Sequence, residues 1–218
     1  MDSAARGWPP SRYLDAHVAF VVAGMTVKHF RELRYGEQLA ARTWIHDFRR
    51  DMLTRRQVRI LGEDGLVSEA TQQWVHVATG GQTDGGGFTS ITRPVRASVA
   101  LLSAFQADGS IGEPVALPST DRLLSGPVHS FSFCVWQLWM DPLAHVNHPT
   151  YLDWCDESIM RRIVARGGSA SDLVAVAEEV VFRSGVRGGA TVTIHSTLVG
   201  AAENGIALSH TITADGTT

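Results

Sequence analysis

Between Asp141 and Glu157 the chain reads Asp-Pro-Leu-Ala-His-Val-Asn-His-Pro-Thr-Tyr-Leu-Asp-Trp-Cys-Asp-Glu, which sets an acid, a histidine and an asparagine at positions 141, 145 and 147. An ionised carboxylate can act as general base or nucleophile, and an imidazole titrates near neutral pH and can orient or relay a proton. The segment before them, Val128 to Met140, is rich in valine, phenylalanine and tryptophan and reads as a buried strand. The segment after them, Tyr151 to Ala165, carries apolar residues at helical spacing, so one helix is expected over Thr150 to Arg166, ended by Gly167-Gly168. The three polar residues are therefore expected on a strand-to-helix corner. At a helix start, free backbone N–H groups and the helix dipole favour developing negative charge. The plainer reading is that Asp141 caps a turn with Pro142, and that Asn147 steadies the helix start rather than reacting.

The pattern Asp-x-x-x-His-Val-Asn-x-x-x-Tyr-Leu, followed by an acidic helix, resembles the motif of hotdog-fold thioesterases, above all the double-hotdog acyl-acyl-carrier-protein thioesterases and their acyl-CoA relatives. Asp141, His145, Asn147 and Tyr151 match it residue for residue. Gly36-Glu37, Thr43-Trp44 and Trp74-Val75 are similar to pieces of the strands that precede the linker in those enzymes. The resemblance implies an α+β hotdog fold, a long helix wrapped by antiparallel sheet. It also implies hydrolysis of an acyl-carrier-protein or coenzyme A thioester by Asp141, His145 and Asn147, without a cofactor. Two departures stand out: Leu143 replaces an asparagine of the family pattern, and Arg183-Ser184 stands where a further carboxylate is expected. They keep open a non-catalytic hotdog module that binds acyl chains or mediates assembly. A hotdog dehydratase would need a histidine facing a carboxylate of the other repeat, and the first repeat offers no such acid.

The elements that must carry this corner are mostly strands. Ala19 to Phe30, Gln38 to Phe48, Leu53 to Leu61 and Leu66 to Val77 read as consecutive strands, with Glu63-Asp64-Gly65 as a hairpin turn, so an antiparallel sheet is expected. Gly24 interrupts the first of them. Gly80 to Gly87 reads as a connector, Pro94 to Phe105 as a short helix with proline in its first turn, and Asp108 to Ser119 as a second connector. Strands at Leu173 to Phe182, Ala190 to Val199 and Ile206 to Thr213 follow the long helix, the last two joined at Glu203-Asn204-Gly205. The expected organisation is an incomplete N-terminal hotdog repeat over residues 1–79, a linker region over 80–126 and a C-terminal repeat over 127–218 that carries the site. Met1 to Ser11 reads as a loosely docked lead-in. With neither repeat complete at its outer end, a homo-oligomer is expected to cover the strand edges.

Composition narrows the classes. The chain has 218 residues and a net charge of −3 with mixed signs, which gives no field for steering toward nucleic acid or an anionic membrane. Cys134 and Cys155 are too few for a disulfide framework and lack metal-ligand spacing, which suits a reducing, cytoplasmic setting. His46, His76, His195 and His210 fall in separate strands without a ligand pattern, so no metal is expected. Val18 to Met25 is too short to span a bilayer. Arg49, Arg50, Arg55 and Arg56 form a basic cluster that reads as a solvated turn or as a contact for a pantetheine phosphate or an acidic carrier protein. Glu178 or Glu179 is a candidate for the absent carboxylate.

Overall fold

Ten strands and three short-to-medium α-helices organise the chain in a computed structural model that describes residues 3–80, 91–105, 107, 113–141 and 144–215. The connector expected at 80–87, apart from Gly80, and part of that at 108–119 lie outside the described residues, as do Pro142 and Leu143. Two compact units emerge, one formed by residues 1–117 with 175–182, the other by 118–174 with 183–218.

In the first unit, β1 (Val18–His29), β2 (Ala40–Arg49), β3 (Leu53–Gly62) and β4 (Gly65–Thr79) form the expected antiparallel run, in the order β2-β3-β4-β1. Gly24 marks a β-bulge against β4, and a Cβ there would stand 3.1 Å from the carbonyl oxygen of Val180. The break in the strand pattern is thus where a neighbouring backbone comes close. β5 (Ile91–Pro94) adds to β4, so Pro94 ends a strand rather than opening a helix. Helix α2 (Val99–Ala104) starts later, where the Ser98 side chain accepts a hydrogen bond from Leu101 N–H.

The lead-in is docked rather than loose. Helix α1 (Pro10–Asp15) follows Trp8, which is 5 % exposed and belongs to the same core cluster as Ile45, Ala97, Leu101 and Phe105. An indole of that size removes more apolar surface from water than the polar residues around it can forfeit. The basic cluster is also mostly accounted for locally. Arg55 makes a two-point contact with Asp47 at 2.9 and 2.6 Å, while Arg56 donates to the Thr43 hydroxyl at 2.7 Å and lies over the Trp74 ring.

In the second unit, β6 (Arg122–Leu123), β7 (His129–Cys134), β9 (Thr191–Ala202) and β10 (Gly205–Ala214) form a second antiparallel sheet, with β9 central. β7 is shorter than the apolar run from Val128 to Met140 suggests, because Gln137–Trp139 turns into a 3-10 helix. β8 (Ala177–Val181) joins β1 in the first sheet, so this strand of the C-terminal half pairs with the N-terminal unit. Its Glu178 is engaged there with His29 at 3.1 Å. Helix α3 (Thr150–Val164) buries Tyr151, Trp154, Cys155, Ser158 and Ile159, a stripe at i, i+3, i+4, i+7 and i+8. It packs on β9, whose Val192, Ile194 and Ser196 alternate inward at 0, 0 and 2 % exposure. Among the described residues no helix is long and apolar enough to cross a membrane.

Candidate active site

The corner between the 3-10 helix at 137–139 and α3 is a closed backbone loop. Asp141 N–H donates to the carbonyl of His145 at 2.7 Å, Ala144 N–H returns a bond to Asp141 at 3.0 Å, and Met140 and Val146 form an isolated bridge. The Asp141 carboxylate accepts from His145 N–H at 3.3 Å. Ala144 takes a left-handed conformation, with φ of 58°, which lets so short a loop reverse. Asp141 and His145 are both half-buried. What joins them is the backbone of His145, whose N–H meets the Asp141 carboxylate.

Asn147 is exposed and fastens the corner through its backbone. Its N–H donates to the Trp139 carbonyl at 2.8 Å and its carbonyl accepts from Thr150 N–H at 3.0 Å, at the first residue of α3.

Aromatic packing holds the corner from below. Trp154 sits among Phe133, Trp139 and Tyr151, with ring centroids at 5.0, 5.3 and 5.1 Å. Trp139 precedes Asp141 by two positions, so this contact anchors the incoming chain on α3. The loop at 183–187 closes the other side. Val146 N–H donates to the Val186 carbonyl at 2.8 Å, and Val186 N–H donates to the Tyr151 hydroxyl at 3.0 Å. Gly185 lies against the His145 imidazole so closely that a Cβ there would fall 2.5 Å from its Cδ2.

Two groups share the field of Asp141. Burial pushes the His148 imidazole below its ordinary pKa of 6.5, with the negative charge of Asp141 opposing the shift. Burial also raises the Tyr151 phenol, against the Val186 hydrogen bond and with the help of Asp141. Sequence reasoning passed over His148, Gly185 and Val186. The His148-Pro149 pair at the threshold of the predicted helix was a usable signal; Gly185 and Val186 become neighbours of the corner only through the fold.

Arg183 and Ser184 enter the 183–187 loop. Glu178 is paired with His29 in the first unit. Among the described residues no cluster of three histidine, cysteine or acidic side chains could hold a metal ion.

An antiparallel sheet laid on one central helix, with a loop of this kind at the helix entrance, defines the hotdog fold. Residues 135–218 match the family model of the thioesterase-like superfamily. Solved structures agree along nearly the whole chain. A protein assigned as an oleoyl thioesterase from Lactobacillus plantarum superposes with a TM-score of 0.70 at 20 % identity, covering 98 % of this chain and 77 % of that one. An acyl-ACP thioesterase from Bacteroides thetaiotaomicron gives 0.62 at 11 %, covering 98 and 83 %. The 12:0-ACP thioesterase from Umbellularia californica gives 0.62 at 15 %, covering 94 and 71 %. At such identities the likeness establishes the fold. Among curated proteins, no match is found.

Proposed function

We propose that this protein is an acyl thioesterase that cleaves an acyl-carrier-protein or coenzyme A thioester to the free acid and the thiol, with Asp141 as the reacting carboxylate. The observation that carries the reading is the closed loop that holds the Asp141 carboxylate on the His145 N–H at the entrance to α3, in the part of the chain that matches the thioesterase-like superfamily. Hydrolysis needs an oxygen nucleophile at the acyl carbon, a place for negative charge on the acyl oxygen and departure of the sulfur. Asp141 supplies the first, by attacking to give a mixed anhydride or by taking a proton from water. The positive end of the α3 dipole favours the second. Burial holds His148 below its ordinary pKa, so near neutral pH the carboxylate faces an imidazole rather than a full cation.

The reading extends to the carrier of the acyl group: the named activities of two similar structures favour acyl-carrier protein, and coenzyme A is the alternative that the motif resemblance implies. A cytoplasmic location is part of the same reading, since the thiols of Cys134 and Cys155 form no disulfide and would stay reduced there. Exposed Trp136 and Leu138, at 62 and 78 %, support association into a homo-oligomer. A panel of acyl-carrier-protein and acyl-CoA thioesters in a thiol-release assay tests the function. Turnover of at least one supports it; saturable acyl binding without turnover would move the protein to the non-catalytic reading.

A further inference from the structure

At the far end of α3 from the corner, a cavity of about 250 Å³ opens between the helix and the second sheet. Ile159, Arg162, Ile163 and Arg166 line one wall at i, i+3, i+4 and i+7, and Leu198 and Leu208 of β9 and β10 line the other. Arg162 stands roughly 16 Å along the helix axis from Tyr151, at 1.5 Å per residue. The cavity grades from a closed end to an open one. Ile159 and Ser196 are 8 and 2 % exposed, whereas Ile206 is 49 % exposed and Arg166 lies in solvent. Among the described residues, neither Arg162 nor Arg166 has a carboxylate within ion-pair distance, although Arg161 beside them is paired with Glu157. A cation near a helix C-terminus complements the dipole. That does not explain why two arginines share one apolar cleft with leucines and isoleucines.

Apolar walls capped by two unpaired guanidinium groups complement one class of small molecule, an amphiphile with an anionic head. We propose that the cavity is a second site, separate from the Asp141 corner, that binds a short unbranched carboxylate with its head on Arg162 and Arg166 and its chain toward Ile159. If each non-hydrogen atom takes roughly the ~30 Å³ of a water molecule, the volume holds about eight, the size of hexanoate. A ligand of that size binds at about millimolar strength or somewhat tighter.

Titration of the isotope-labelled full chain with hexanoate, followed by amide chemical shifts, tests this. Saturable shifts centred on Ile159 to Arg166, Ser196 to Leu198 and Ile206 to Leu208 are expected, unchanged in Asp141→Asn. Hexylammonium, of equal length and opposite charge, is expected to give none, and Arg162→Gln with Arg166→Gln to weaken hexanoate about tenfold or more, the scale of a lost charge-assisted hydrogen bond. The absence of saturable shifts would overturn the proposal, as would shifts centred on residues 141–151 or equal binding of hexylammonium. Because the ammonium control uses the unaltered protein, the outcome does not depend on the stability of the double variant. Nor does it depend on whether the protein turns over thioesters.

Discussion

The Tyr151 hydroxyl accepts the backbone N–H of Val186 at 3.0 Å, tying the first turn of α3 to the loop that also bonds Val146. Both residues are 7 % exposed, so water cannot replace the bond. Tyr151→Phe keeps the ring among Trp154 and its neighbours but strands a buried donor, and should cost about 1–3 kcal/mol. Chemical denaturation measures this. A loss within error of zero would show that the loop is held by other contacts.

Gly185 makes room for the His145 ring. In Gly185→Ala the new methyl cannot occupy a position 2.5 Å from Cδ2, so the imidazole must turn away while the sheet and helix are untouched. If the His145 imidazole takes part in the reaction, turnover should fall roughly 10- to 100-fold, the scale of an ångström-sized misplacement. The loss should lie in kcat more than in KM. An unaltered kcat would remove His145 from the reaction.

His148 should titrate below 6.5, because burial penalises its charged form more than Asp141 favours it. The sign for stability follows from proton counting. Between the two pKa values the unfolded chain binds more protons than the folded one, so this contribution is present above pH 6.5 and is lost as pH falls through the folded value. Histidine-resolved NMR titration reads it directly; an imidazole still protonated at pH 7 would contradict the picture of a carboxylate facing a neutral neighbour.

Glu37 ties its own turn to the turn between β3 and β4, accepting from the Arg31 guanidinium and from the N–H groups of Arg34 and Glu63. The Arg31 hydrogen bond is the largest cause of its pKa falling from 4.5 to about 2. Its contribution is therefore full above pH 4.5 and lost as pH drops toward 2. Glu37→Gln should unfold at the same pH as the parent or higher on acidification, and should flatten the decline over that window. Identical acid-unfolding profiles would count against the pairing.

Much of this architecture is legible in the residues because the patterns are local. Glu63-Asp64-Gly65 and Glu203-Asn204-Gly205 set hairpins, and the stripe from Tyr151 to Ile159 sets α3 and its buried face. The Asp141, His145, Asn147 spacing likewise foretells a corner, since one short loop contains all three. What escapes such reading depends on distant partners. Ala177–Val181 has the composition of a strand, but nothing in it says that its partner is β1 rather than a strand of its own half. Trp8 sits in a polar, proline-bearing stretch and is buried only because Ile45 and Leu101 come to meet it. Gly185 and Val186 lie some 40 positions from the corner they close, and their role is one of backbone proximity.

Asp141→Asn separates a reacting carboxylate from a turn residue. The amide keeps the size and can still accept from His145 N–H, but it lacks the charge and the basicity. In a thiol-release assay on the best acyl thioester found for the parent protein, with circular dichroism confirming the fold, the rate should fall on the order of 100-fold or more. A variant that stays folded and turns over at the parent rate would remove Asp141 from the reaction.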